Sequence, residues 1–382
     1  MAVAVICEFN PFHNGHAYFL DRVRRAVGEP VIAVMSGSFT QRGEVAVCSK
    51  FDRARAALRG GADLVVELPA VRAVSSAQRF AEGGAAVAAG FDCVTSLAFG
   101  CETDDLALLK TASDAADDSA VSAIVSRLMA EGEYYPRALQ KAAGEVFGEA
   151  VAAALSSPNN ILAAEYLRAL RGTDIRPVAI RRVGAAHDSS SASDGFASAS
   201  HIRELIRNGD EASAFMPSKV EEPARPERLE RALLYRLRTM SAAELAELPE
   251  VSEGLENRIA AAVLKYNSTE EILSAVKTKR YTHARLRRIL TYALLGITEE
   301  LQARTPSYAR VLGFTEAGAA LLKSFRGEVV TSVAAAMRSD SPNRDFLAKD
   351  ILATDVAALA YDRILPCSAD YLTKISKENY AE

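Results

Sequence analysis

The chain has 382 residues, 49% hydrophobic and 25% charged, with a formal net charge of −4. That length supports two or three domains with their own cores, and the charge argues against a protein that meets nucleic acid through its overall balance rather than a local patch. The five cysteines, Cys7, Cys48, Cys93, Cys101 and Cys367, form no C-x-x-C pair, which argues against a disulfide framework or a zinc site and for a reduced, cytoplasmic setting.

In chain order, the first 210 residues alternate between two kinds of segment. Short β-branched runs at 2–6, 31–35, 63–68, 93–99 and 176–182 are apolar on both faces, as buried parallel strands are. Amphipathic stretches at 17–27, 50–60, 76–90 and 104–131 lie between them. This alternation predicts an α/β fold with a doubly wound parallel sheet. No run approaches the eighteen or so apolar residues of a membrane span, and the N-terminus lacks a secretory signal pattern. Residues 185–200 are a loop of small residues. Pro217, Pro223 and Pro226 mark a boundary. Beyond it the pattern is almost wholly helical, at 226–239, 242–248, 254–265, 269–276 and 284–295, with weaker periodicity at 316–324 and 348–361. The expected division is a catalytic domain at 1–210 and a mainly α-helical domain at 211–382.

Three constellations carry chemistry. The first is Asn10-Pro11-Phe12-His13-Asn14-Gly15-His16-Ala17, placed between the first strand and the first helix. Free backbone N–H groups and the helix dipole attract phosphate there, Gly15 lets the backbone approach a ligand, and His13 and His16 can donate to phosphate oxygens. The second is Ala197-Ser198-Ala199-Ser200-His201-Ile202-Arg203. Ser198 or Ser200 can cap a helix and donate to phosphate, and Arg203 can clamp the β- and γ-phosphates. The third is the strip 277–288, in which Lys277, Lys279, Arg280, Arg285, Arg287 and Arg288 occur without an acid. Together with the flat surfaces of Tyr281 and His283 it has the composition of an RNA-backbone contact. Arg225, Arg228, Arg231, Arg236 and Arg238 are interrupted by acids and read as structural.

H-x-G-H after the first strand, with a late Ser-x-Ser-x-Ile-Arg, resembles the Rossmann-like nucleotidyltransferase superfamily related to class I aminoacyl-tRNA synthetases. The segments 7–16, 35–44, 61–69, 158–162 and 277–282 are similar, more closely, to the bacterial tRNA(Met) cytidine acetate ligase family. The resemblance implies activation of acetate by ATP to acetyl-adenylate, followed by acetylation of N4 of the wobble cytidine of elongator tRNA(Met). It implies ATP contacts at Cys7, Glu8, Phe9, Asn10, Pro11, Phe12, His13, Asn14, Gly15, His16, Ala17, Tyr18, Phe19 and Leu20, then at Gly100, at Asn159 or Asn160, and at Arg181 or Arg182. Magnesium is expected to shield the triphosphate, and no residue is assigned as its ligand. Lys50 is a candidate to neutralise acetate or pyrophosphate, whereas Asp63 and Glu67 read as structural. The chain departs from the family at Cys101, where serine is expected, and before His187, where a tyrosine is expected. The competing readings are an adenylyltransferase for a small phosphorylated metabolite, and an RNA-binding module without catalysis. The long helical tail opposes the former, and the intact His13, Gly15 and His16 oppose the latter.

Overall fold

The computed structural model describes residues 1–182 and 195–378. Five parallel strands, β1 (Ala2–Cys7), β2 (Val31–Ser36), β3 (Leu64–Leu68), β4 (Val94–Cys101) and β5 (Arg176–Arg181), lie in the order β5-β4-β1-β2-β3. The chain steps outward from β1 to β3 and then returns to place β4 on the other side of β1. The carboxyl ends of β1 and β4 therefore splay apart at a topological switch point, the usual place for a ligand in such a sheet.

Alternation along each strand sorts side chains between two cores. Ala2, Ala4, Ile32, Val34, Leu64 and Val66 face one side, where the helices Ala77–Ala89 and Pro158–Ala169 contribute Phe80, Val87 and Tyr166. Val3, Val5, Val31, Ala33, Met35 and Val65 face the other, against α1 (Asn14–Val27) and α2 (Lys50–Arg59), which contribute Leu20, Val23, Phe51 and Leu58. Burial on both faces explains the nearly unbroken apolar runs. Gly84 lets the Ala77–Ala89 helix lie directly on β1, since a Cβ there would come within 2.6 Å of the Ile6 side chain.

The structure departs from expectation in two places. The segment expected as one helix at 104–131 is two, Leu106–Ala115 and Ser119–Ala130. Asp118 starts the second by accepting the N–H groups of Ala120 and Val121, an N-cap that competes with helix continuation. Further helices at Tyr135–Phe147 and Glu149–Ala154 pack with these two around Val121, Leu128, Leu139 and Val151.

The second departure concerns the tail. It is rich in helices, including Glu230–Thr239, Leu255–Lys265, Thr269–Val276 and His283–Leu295. It also returns to the sheet. β6 (Tyr308–Phe314) runs antiparallel beside β3, and β7 (Glu328–Val330) and β8 (Ser376–Lys377) pair with β6. The sheet is thus mixed rather than wholly parallel, and a boundary at residue 210 does not divide it. β6 covers what would otherwise be the open edge of β3. Phe39, Val45 and Val71 from the first half share one apolar cluster with Leu237, Leu286, Tyr292 and Phe346 from the second.

Candidate active site

At the carboxyl end of β1 the chain turns sharply. Phe9 adopts a left-handed φ of 46° and the Asn10–Pro11 peptide is cis. A positive φ at a bulky residue is strained and is held by its surroundings. Those surroundings include Arg53 of α2, which is fully buried. Its guanidinium donates to the carbonyls of Glu8 (2.6 Å), Ser36 (3.0 Å) and Gly37, and so ties together the ends of β1 and β2. Asn10 Oδ1 accepts from the Val47 N–H at 2.8 Å. Arg53 is a positioning residue that the sequence did not single out.

The turn ends in a cap built from two imidazoles. His13 is the N-cap of α1; its Nδ1 accepts from the Gly15 N–H at 3.0 Å, and His16 Nδ1 accepts from the His13 N–H at 3.3 Å. The rings stack with centroids 3.7 Å apart, and Phe9 and Phe12 pack against His16. An acceptor at Nδ1 leaves the proton on Nε2. Burial, reinforced by Arg182 and Arg203, lowers the His13 pKa to about 3. Burial, then His13 and Arg182, hold His16 well below its ordinary value against a weak opposing pull from the Pro11 carbonyl. Both rings are therefore neutral N–H donors at physiological pH. Gly15 is required by this cap, because a Cβ there would stand 2.8 Å from His13 Cε1.

The second wall is the segment 195–203. Ser198 caps the helix Ala199–Asn208 and accepts from the His201 N–H at 3.2 Å. Arg203 donates to Ser200 Oγ (3.1 Å) and to the Asn10 carbonyl (2.8 Å), which joins the two sequence motifs. Asn14 donates to the carbonyls of Gly195 and Ala214, each at 3.0 Å, and so acts as a strut beneath the site.

The third wall is made by the ends of β4 and β5. Gly100, Asn159, Arg181 and Arg182 all line the cleft. Asn160 is buried and instead accepts from the backbone of Glu102 at 2.9 Å, holding the chain beyond β4. Of the two asparagines, Asn159 faces the cleft. The Arg182 side chain lies against Gly100, where a Cβ would be 3.4 Å from its Cγ. Cys101 is buried with its Sγ directed at the Ile180 carbonyl, outside the cleft lining. His187 and its neighbours lie outside the described residues.

Between these walls is a cleft of about 300 Å³. Cys7, Glu8, Phe9, Asn10, His13, Gly15, His16, Tyr18 and Phe19 line it, as do Ser198, Ser200 and Arg203. Pro11, Phe12, Asn14, Ala17, Leu20 and Asn160 do not. Phe12 and Leu20 belong to the core under α1. The fourth wall is the β2–α2 loop, with Thr40, Gln41, Arg42 and Glu44. The sequence marked this loop through the family resemblance of 35–44 and as one able to close over the second substrate, but named none of these four residues as a ligand contact. The Gln41 N–H donates to Glu8 at 2.6 Å. Among the described residues no three His, Cys, Asp or Glu side chains converge on a metal site.

Two sequence expectations need correction. Lys50 does not face the cleft. It is fully buried, with Nζ 2.8 Å from Glu67 and 2.9 Å from Asp370, in a cluster that also holds Arg310, Asp350 and Tyr308. Burial works against the charge on Lys50, but Asp370 and Glu67 outweigh it and raise its pKa. Burial and the charge of Glu67 push Asp350 well up, which favours its neutral form in the cluster.

The basic strip is also only partly a surface. Tyr281 is buried under Arg285, which donates to the Glu250 carbonyl at 3.0 Å. Arg288 is buried in a bidentate pair with Glu250, which also accepts from Tyr292. Lys277, Lys279, Arg280 and Arg287 remain exposed. Arg287 pairs with Glu44 at 2.8 Å, and Thr291 Oγ1 donates to the Gly43 carbonyl at 2.7 Å. The helix carrying the strip is thereby fastened to the cleft's fourth wall.

The HIGH Nucleotidyl Transferase family model matches residues 1–369. The tRNA(Met) cytidine acetate ligase of Thermoanaerobacter sp. (strain X514) is 34% identical over 412 aligned residues, covering 98% of this chain and 99% of that protein. The same-named protein of Bacillus licheniformis is 37% identical over 361 residues, 86% of each chain. Thermotoga maritima TmcAL, in an apo crystal form, superposes with a TM-score of 0.91 at 29% identity, covering 99% of each chain. A second form of that protein, bound with alpha-thio ATP, gives 0.87 at 28% identity, again over 99% of each chain.

Proposed function

The chain belongs to the HIGH nucleotidyl transferase family and, within it, to the tRNA(Met) cytidine acetate ligases, and from that premise we propose how its cleft performs the reaction. It is an ATP-dependent ligase that joins acetate to a cytidine of tRNA(Met). In this reading the base is the wobble cytidine of the elongator tRNA and the bond forms at N4. ATP lies across the end of β1 with its phosphates at the N-terminus of α1. An acetate oxygen attacks the α-phosphorus, the bond to the bridging oxygen breaks, and pyrophosphate leaves. His13 and His16, as neutral donors, meet the charge that builds on the phosphate oxygens. Arg203 and Ser200, already joined to each other and to the Asn10 carbonyl, hold the leaving side. Arg182 adds positive charge from just beyond β5. Asn159 and Gly100 border the nucleoside, where a bare backbone permits close approach.

Magnesium fits this site as a companion of the triphosphate. Mg²⁺ keeps several waters and is usually held by phosphates with one or two carboxylates, and Glu8 and Glu44 are the carboxylates on the cleft wall. When bound, it supplies further neutralisation of phosphate charge.

In the second step N4 of cytidine attacks the acetyl carbon, the bond to the adenylate oxygen breaks and AMP departs, with one N4 proton passing to solvent. The amine is weakly nucleophilic, so positioning dominates. An anticodon loop presents an unpaired base that can leave its stack. Lys277, Lys279, Arg280 and Arg287 are the residues we assign to the RNA backbone. No helix among the described residues is long and apolar enough to cross a membrane; the tRNA substrate and five unpaired cysteines support a cytoplasmic location.

One observation carries this reading: two neutral, stacked imidazoles capping α1, faced by Arg182 and Arg203. The test is pyrophosphate exchange into ATP, with acetate as the varied acid. Acetate-dependent exchange, together with N4-acetylcytidine in tRNA(Met) after full turnover, is the expected result. Exchange that requires a phosphorylated metabolite instead would overturn it.

A further inference from the structure

The cleft has a corner that phosphate binding does not use. Its donors, His13, His16, Ser200, Arg182 and Arg203, gather around α1 and the ends of β4 and β5. Below them, where the Ala77–Ala89 and Pro158–Ala169 helices meet the sheet, the lining turns apolar, with Ile6, Phe80, Phe99 and Leu162. A tyrosine hydroxyl stands beside them. Tyr166 is 3% exposed, its ring lies 5.8 Å from that of Phe99, and it lines the cleft. Its hydroxyl has no hydrogen-bond partner among the described residues. The ring is buried while the hydroxyl opens to the cleft, so it is free to donate to a ligand acceptor in place of water. Burial and the nearby Cys7 and Glu8 keep its pKa well above the usual phenol range, so it stays a donor.

We propose that this corner is the acyl subsite, in which the Tyr166 hydroxyl donates to the acetate oxygen that does not attack phosphorus and Ile6, Phe80, Phe99 and Leu162 enclose the methyl group. The inference rests on the ligase reading above and deepens it. In-line attack requires the acid to approach the α-phosphorus from the side opposite the pyrophosphate. Arg203 and Ser200 hold that leaving side, so the acid comes from elsewhere in the cleft. The chemistry of the corner matches one oxygen acceptor on a short apolar stub. An adenine edge would ask for several donors and acceptors, whereas Ile6, Phe80, Phe99 and Leu162 offer none. Tyr166 is a specificity and positioning residue; it transfers no proton in adenylation.

The experiment is steady-state pyrophosphate exchange with the full chain, its Tyr166→Phe variant and its Leu162→Ala variant, using acetate, propionate and butyrate, with ATP binding measured separately by calorimetry. Tyr166→Phe keeps the ring and removes only a hydroxyl without a protein partner, so it is expected to fold. It should raise KM for acetate by roughly 10- to 100-fold, the range of a hydrogen bond to a charged group, with ATP affinity unchanged. Leu162→Ala should raise the propionate-to-acetate ratio of kcat/KM about tenfold or more, since one methylene in an apolar pocket sets discrimination of that order. An unchanged acetate KM in Tyr166→Phe, or weakened ATP binding in its place, would refute the subsite while leaving the ligase reading intact. Absence of acetate-dependent exchange in the unmodified chain would overturn both.

Discussion

The neutrality of the two stacked imidazoles can be tested with pH alone. An ordinary imidazole titrates near 6.5, whereas His13 is held at about 3. At pH 5.5 about nine-tenths of an ordinary histidine carries charge, against less than about 1% of His13. The sign for stability follows from linkage. Between pH 6.5 and 3 the unfolded chain takes up a proton that the native site refuses. The contribution of His13 is therefore complete above about 6.5 and is lost as pH falls, by about 1.4 kcal/mol per pH unit and about 5 kcal/mol in all. His16 is shifted in the same direction. The assay is long-range ¹⁵N imidazole spectroscopy of histidine-labelled, ATP-free protein, with His13→Gln and His16→Gln variants to assign the signals. Both rings should show the neutral pattern with the proton on Nε2 from pH 8 to 5.5. Conversion of either signal to the imidazolium pattern within that range would refute the argument, and with it the assignment of these residues as uncharged donors.

Other outcomes follow from the same geometry. His16→Ala should lower acetate-dependent exchange by roughly two to three orders of magnitude, as loss of a donor to developing charge does; near-normal turnover would remove that role. Lys279→Ala with Arg280→Ala should weaken tRNA binding and flatten its salt dependence by up to about two counterions while sparing exchange, which filter binding across a salt series would show. Arg288→Ala, although in the same sequence strip, should instead lower stability by about 3 kcal/mol, because it leaves the Glu250 carboxylate unpaired; thermal melts separate the two effects. Lys50→Met should destabilise comparably by leaving Arg310 alone to balance the buried Glu67 and Asp370, with the acetate KM of the surviving folded protein unchanged.

The elements that position the site were legible where a single physical signal governed them. The apolar runs that became β1 to β5 and the H-x-G-H turn after β1 are local patterns, and the structure keeps both. β6 was missed because Tyr308–Phe314 is a short apolar run with a glycine inside it, ambiguous between strand and helix by period alone; its partner β3 lies far off in sequence. Lys50 was misplaced because a lysine at a helix start reads as exposed, and nothing nearby reveals that Asp370 will meet it. Tyr281 and Arg288 show the same limit, since composition marked a basic strip but Glu250 decided which of its members turn inward. Among the site residues, motif spacing could find His13, His16, Ser200 and Arg203. It could not find Arg53, whose partners are backbone carbonyls, or Tyr166, whose significance is a missing partner.

The buried cluster around Lys50 has a consequence for how the protein is made. Asp370 follows Lys50 by 320 residues, and translation adds about 5–20 residues per second. For some tens of seconds the nascent sheet carries an ammonium and a carboxylate in its interior without the acid that completes their balance, and until β6 arrives β3 has an open edge. The buried charges under the catalytic half are therefore completed by residues made long after it. The acid that balances Lys50 is delivered only after β6 and the helices before it have been made, so a chain interrupted in the helical region carries the nucleotide motif with its foundation unfinished.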